Sequence, residues 1–195
     1  MRNVDKLVIV DIEATCWDNE NGSPDRTMLP RRDESEIIEV GVCTLDLKTL
    51  EIGDIDGIIV KPANSTVSDF CTKLTTLTQA DVDKGISFDA ACQILRKKYN
   101  SKNRTWASYG QYDANIFKRE CDSKKVNYPF GNFHINIKAV VETIYGETLG
   151  MSEALDAMMI VLEGTHHRGV DDAKNIARIY AQFLKNVRTR EGLPS

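Results

Sequence analysis

Residues 7–16 read LVIVDIEATC, an apolar, β-branched run that closes on two carboxylates. Side chains alternate across a strand, so Leu7, Ile9, Asp11 and Glu13 share one face while Val8, Val10 and Ile12 share the other. With apolar residues on both faces, the segment predicts a short strand over 7–12, buried in the middle of a sheet. Asp11 and Glu13 then stand side by side at its end, where burial strips their solvation and their charges repel. A bound cation resolves that conflict, and hard carboxylate oxygens suit Mg²⁺ or Mn²⁺.

Working outward, 36–46 (EIIEVGVCTLD) and 55–60 (IDGIIV) read as two further strands, joined by a hairpin through LKTLEIGD, with Pro62 ending the second. Helices are predicted over 78–84, capped by Thr78 with Asp81 three residues on, and over 87–99, capped by Ser87. In the latter, Phe88, Ala91, Cys92 and Leu95 form an apolar stripe assigned to the core. A strand follows at 105–110, a helix from Asp113 to Lys124 and a strand at 133–138. Helical segments come next at 138–145 and 152–162, and a final helix runs from Val170 to Asn186. The last helix shows Ile176, Ile179, Tyr180, Phe183 and Leu184 on one face. Three adjacent strands followed by alternating helix and strand imply one mixed α/β domain over 1–195, with its core at about 6–186. The breaker-rich stretch 18–35 reads as a polar loop and 188–195 as a loose tail.

Further acids join the first pair. Asp113, in GQYDANIF, follows a strand and begins a helix, where an isolated aspartate is commonly an N-cap. His167 and Asp172 flank the entry to the last helix, on a lead-in containing Gly164 and Gly169; His166 is the neighbouring alternative. A neutral imidazole beside carboxylate-held metal can take a proton from water, which points to metal-assisted phosphodiester hydrolysis.

The composition, with 42% hydrophobic and 28% charged residues, is that of a globular protein, and no apolar run approaches the length of a membrane span. No long apolar stretch with a small-residue cleavage site opens the chain. The expectation is an intracellular, cytoplasmic protein without membrane contact. Five dispersed cysteines without a CxxC pair argue against a disulfide framework and a structural zinc. A net charge of −4 excludes coating of nucleic acid by bulk electrostatics, although gripping a strand end through metals remains open. The basic pairs Arg31–Arg32, Lys97–Lys98 and Lys124–Lys125 read as solvated faces, any of which could also track a backbone.

The segments DIEATC, GQYDANIF and HHRGVDDAKNIARI, in that order, resemble the DEDDh 3′→5′ exonucleases, a branch of the RNase H-like superfamily. The likeness extends from about Lys6 to Leu184. SDFCTKLTTLTQADVD, INIKAVVETIYG and DDAKNIARI are similar to the sub-branch of histone-mRNA and small-interfering-RNA 3′ exonucleases and their bacterial relatives. The resemblance implies a five-stranded mixed sheet, three strands antiparallel and the rest parallel, flanked by helices. It implies Asp11, Glu13, Asp113 and Asp172 as ligands of two Mg²⁺ or Mn²⁺ ions roughly 3.5–4 Å apart. Its H-x₄-D spacing selects His167 as general base over His166, and Asp172 over Asp171.

The implied activity is hydrolysis from the 3′ ends of single-stranded RNA or DNA, releasing nucleoside 5′-monophosphates. Main chain at Ala14 and Thr15 would meet the terminal 3′-hydroxyl. Phe70 and Tyr112 are candidates to stack on the terminal base, with ordinary packing as the alternative for each. Glu36 and Glu39 stand either near the site or in salt bridges. Animal RNA-processing members carry an extra N-terminal nucleic-acid-binding segment, whereas this sequence starts almost at its first strand, so a general 3′ end is expected rather than a specific stem-loop. The competing readings are a catalytically silent nucleic-acid-binding module, which should have lost a ligand, and an aspartyl-phosphate phosphatase, which would want DxD and a lysine. Oligomeric state is not fixed by any motif.

Overall fold

The computed structural model describes residues 3–17 and 35–191. Its centre is β1 (Asn3–Ala14), which pairs antiparallel with β2 (Ile37–Asp46), itself antiparallel to β3 (Ile52–Ile59). On its other side β1 runs parallel to β4 (Arg104–Ser108), which runs parallel to β5 (His134–Asn136). The sheet is therefore five-stranded and mixed, in the order β3-β2-β1-β4-β5. The helices are α1 (Asp69–Thr75), α2 (Gln79–Val82), α3 (Phe88–Lys98), α4 (Tyr112–Lys124), α5 (Ile137–Tyr145), α6 (Met151–Ala157) and α7 (Gly169–Glu191).

The alternation in β1 sorts the core into two layers. Val8, Val10 and Ile12 pack with Phe88, Leu95 and Phe117 of α3 and α4. Leu7 and Ile9 pack with Val141, Leu155 and Ile176 of α5, α6 and α7. Central position and apolar sides on both faces thus have one cause, helices covering the sheet front and back. The predicted caps form as expected. Thr78 and Asp81 make a reciprocal capping box, and the Ser87 side chain accepts from the Ala90 amide.

Several expectations need correction. β1 begins at Asn3, paired in parallel with Arg104 of β4, and β3 at Ile52, paired with Leu45 across the hairpin; the hydrophobic pattern alone marks neither start. α1 was not foreseen; Ser68 caps it by accepting from the Cys71 amide, and it is only seven residues long. Asp113 is not an N-cap: Gln111 holds that position, placing Asp113 inside the first turn of α4. β5 is cut to three residues because Asn136 turns to cap α5, its side chain accepting from the Ala139 amide at 3.1 Å. The segment expected as helix over 152–162 stops at Ala157, and Met159 adopts a left-handed φ of 56°. α7 runs on to Glu191, so the tail assigned from 188 begins as helix. The rest of that tail, most of the 18–35 loop and the Arg31–Arg32 pair lie outside the described residues. All five cysteines are free thiols and four are buried, as small apolar residues would be. Among the described residues no helix is long and apolar enough to cross a membrane.

Candidate active site

Three elements converge at the C-terminal end of β1. In the antiparallel register Asp11 lies opposite Gly41 and Glu13 opposite Glu39. Gly41 matters because a Cβ there would lie 1.8 Å from the Gly169 carbonyl oxygen. Without that side chain, the start of α7 drops onto the sheet directly over Asp11. α7 thereby delivers Asp172 to the strand carboxylates. One oxygen each from Asp11, Glu13 and Asp172 lie within 4.8 Å of one another.

Asp113 arrives from the other side. Its Oδ1 accepts from the Ile12 amide at 3.1 Å, tying the first turn of α4 to β1 between the two strand acids. It is buried, and its charge is the strongest repulsion acting on Asp11. Asp11, Glu13 and Asp172 therefore meet, while Asp113 is tied to the same strand end with one oxygen turned to the Ile12 amide.

The electrostatics are one-sided. Burial, then repulsion from Asp113 and Glu13, raises the Asp11 carboxyl well above the usual range. Burial followed by Asp172 and Glu39 lifts Glu13 to about 9. Burial lifts Asp113 to about 7 despite the bonds it accepts, and Asp172 is raised for the same reason. Carboxylates packed this closely are stable as anions only when positive charge enters among them. Oxygen donors of this kind match Mg²⁺ or Mn²⁺ rather than a soft metal, so the residues present fit such ions.

The histidine pair is arranged differently from the expectation. His166 directs Nδ1 to Asp172, 3.0 Å from Oδ2 and 3.2 Å from Oδ1. His167 reaches Asp172 through its main chain, its amide donating to Oδ2 at 2.8 Å, and takes a left-handed φ of 65°. The two rings stack with centroids 3.9 Å apart. One ring nitrogen from each lies within 4.8 Å of an Asp172 oxygen. Burial, then the neighbouring His166, lowers the His167 imidazole pKa, favouring its neutral form.

Glu39 is the residue that sequence reasoning left undecided and the fold makes informative. It is fully buried, accepts from the Gly169 amide at 3.1 Å and pairs with the Arg168 guanidinium at 3.1 and 3.4 Å. It clamps the histidine segment to β2. The missed signal was Gly41 itself, a lone glycine within a strand pattern, which marks close backbone approach. Glu36, by contrast, is held in a salt bridge with Lys124 at 2.8 Å.

The expected substrate contacts are scattered around the same strand end. The Thr15 amide already donates to the Glu36 carbonyl at 2.9 Å, and its hydroxyl contacts Ser65. Phe70 is partly buried on α1, which is docked beside β1 by a 2.6 Å bond from the Ser68 hydroxyl to the Cys16 carbonyl. Tyr112 is exposed next to Asp113. Lys98 pairs with Asp56, and Lys124 bridges Glu36 and Glu120, so neither is a free backbone-tracking cation.

A mixed sheet of this order, with acids at the end of its central strand and a histidine-bearing helix entry above them, defines an RNase H-like domain with a DEDDh site. The chain belongs to the Exonuclease (RNase_T) family, whose model matches residues 8–180. It is 33% identical to 3′-5′ exoribonuclease 1 of Rattus norvegicus over 93% of this chain and 54% of that protein. It is 27% identical to the 3′-5′ exonuclease Snipper of Drosophila melanogaster over 92% and 69%. Among solved structures, the nuclease domain of 3′hExo, a DEDDh family member bound to rAMP, superposes with a TM-score of 0.79 at 31% identity, covering 93% of this chain and 92% of that one. The chain spans about half the length of the exoribonuclease 1 proteins it matches.

Proposed function

We propose that this protein is a metal-dependent 3′→5′ exonuclease acting on the 3′ ends of single-stranded nucleic acid, RNA ahead of DNA, and releasing nucleoside 5′-monophosphates. The observation that carries the reading is the meeting of Asp11, Glu13 and Asp172 oxygens within 4.8 Å, with Asp113 behind them. A binding module has no use for so costly a concentration of buried negative charge. Family membership and the exonuclease names of its relatives support the same conclusion, and the rAMP ligand of 3′hExo supports RNA.

Asp11, Glu13, Asp113 and Asp172 would hold two ions, Mg²⁺ or Mn²⁺. Bound there, such ions would activate a water and stabilise charge on the leaving 3′ oxygen. His167, kept neutral by partial burial, accepts the proton of the attacking water; its H-x₄-D spacing from Asp172 and its place on a glycine-flanked turn favour it for that role. His166 holds the Asp172 carboxylate in line. Ala14 is left as the main-chain contact for the terminal 3′-hydroxyl, since the Thr15 amide is bonded to Glu36. Phe70 and Tyr112 provide aromatic faces for the terminal base. The cytoplasm, a reducing compartment, suits the five free thiols.

The test is digestion of 5′-labelled single-stranded RNA and DNA oligonucleotides with Mg²⁺, Mn²⁺ or EDTA, beside Asp11→Ala. A metal-dependent ladder shortening from the 3′ end, faster on RNA and absent in the variant, is expected. No cleavage of either strand by folded, Mn²⁺-binding protein would overturn the proposal.

A further inference from the structure

A concavity away from the carboxylates lies along the C-terminal half of α7. It is a groove of about 1070 Å³ between the β2–β3 turn, the α6–α7 connection and the outer face of α7. Along α7 the lining runs from Arg178, about 9 Å of helix beyond Asp172, to Thr189, about 26 Å beyond it. Its floor is aliphatic, with Leu50, Ile52, Ile160 and Ala181. Two flanking side chains are the most exposed large hydrophobics described, Met159 at 93% and Val161 at 79%.

That exposure has a backbone cause. The sequence from 152 reads as helix through 162, yet the helix stops at Ala157 and Met159 takes a left-handed φ of 56°. For a residue with a Cβ this conformation is disfavoured. Met158 and Met159 nevertheless turn the chain back with amides bonded to Ala154 and Asp156, which sets Met159 at the groove edge. A left-handed residue just past a helix C-cap is an ordinary way to end a helix, and here it sets an exposed apolar side chain beside an aliphatic groove.

The rim is cationic: Lys48, Arg178, Lys185 and Arg188 line the groove, and no acid does among the described residues. Arg178 is matched by Glu163, and Arg188 donates to the Leu47 and Lys48 carbonyls. Lys48 and Lys185 have no acidic partner among the described residues. In a chain of net charge −4, an acid-free groove is a local inversion that asks for negative charge from outside.

We propose that this groove docks an acidic amphipathic helix of a partner protein, separately from the catalytic site. The α7 residues lining it span 178–189, about 17 Å, or three turns of a docked helix. Apolar anchors at i, i+3 or i+4 and i+7 would fill the aliphatic floor against Met159, and flanking glutamates would meet Lys48 and Lys185. A nucleic-acid strand fits less well, because no aromatic ring lines the groove for bases to stack on.

The experiment is fluorescence anisotropy on the full chain in EDTA, with three labelled 18-residue model helices differing in apolar spacing, each made in a glutamate-flanked and a lysine-flanked form. A labelled 20-nucleotide single-stranded RNA is run in parallel. The variants are Lys48→Glu/Lys185→Glu and, separately, Met159→Ser. Saturable binding of a glutamate-flanked helix, weakened at least about tenfold by either variant and by added salt, is expected. Metal-loaded cleavage of a short oligonucleotide should be unchanged in both variants, showing that the fold and the catalytic site persist. Equal binding of the two charge forms, no binding of any acidic helix, or loss confined to RNA in the charge variant would overturn the proposal.

Discussion

Glu13 and Glu36 are both buried glutamates at the same end of the central strands, and their surroundings are opposite. Burial works against the Glu36 anion, but the Lys124 ammonium and the amides of Asn64, Ala63 and Ser65 hold its carboxyl down at about 2. Glu13 is pushed by burial, Asp172 and Glu39 to about 9. One carboxylate is compensated by its own chain; the other waits for positive charge to arrive. The contrast separates a carboxylate built for structure from one built to hold a cation, a distinction residue type alone cannot make.

The largest effects should appear where compensation comes from outside. Asp11→Ala should abolish turnover of single-stranded RNA, and His167→Ala should lower kcat by about 10²–10⁴-fold while far-ultraviolet circular dichroism stays native. Glu13→Gln goes further, separating function from stability. It should be inactive yet melt higher than wild type in EDTA at pH 8, since Glu13 must take up a proton to fold at that pH and glutamine need not. A lower melting temperature in that variant would break the comparison.

The pH dependence follows with a definite sign. Because Glu13 and Asp113 titrate higher when folded than unfolded, their protonated forms favour the native state. Their contribution is complete below the ordinary carboxylate range and is lost as pH rises through about 7 for Asp113 and about 9 for Glu13. The metal-free protein should therefore melt lower at pH 9 than at pH 5, and Mn²⁺ should restore more at the higher pH. Calorimetry with and without the ion measures both.

For the self-compensated glutamate the effect is smaller and confined to stability. Lys124→Ala leaves Glu36 and Glu120 without their shared cation and should cost about 3 kcal/mol in urea denaturation, with kcat nearly unchanged at low denaturant. The smallest effect is expected from His166→Ala, which should keep most turnover. Loss as complete as in His167→Ala would show that the ring seen on Asp172 is the one that matters.

Much of this was legible because the signals are local. The two-sided apolar run before Asp11, the Thr78–Asp81 capping box and the apolar stripe of α3 each follow from residues within one element. What escaped depends on contacts distant in sequence. Gly41 is informative only because Gly169 packs on it, Glu39 because Arg168 reaches across to it, and the turn at Met159 replaces a helix that the pattern alone predicts. α1 was missed because it is short and depends on one cap and its docking to Cys16.

By itself the sequence determined the class of sheet, the order of its elements and the identities of the acids and histidines, because strand alternation and motif spacing are written in neighbouring residues. Only the tertiary structure decided which buried glutamate has a partner and which histidine ring touches Asp172. It also decided that a basic, aliphatic groove opens along the C-terminal half of α7. Charge compensation and concavity are properties of side chains brought together from distant parts of the chain, and no local pattern encodes where they meet.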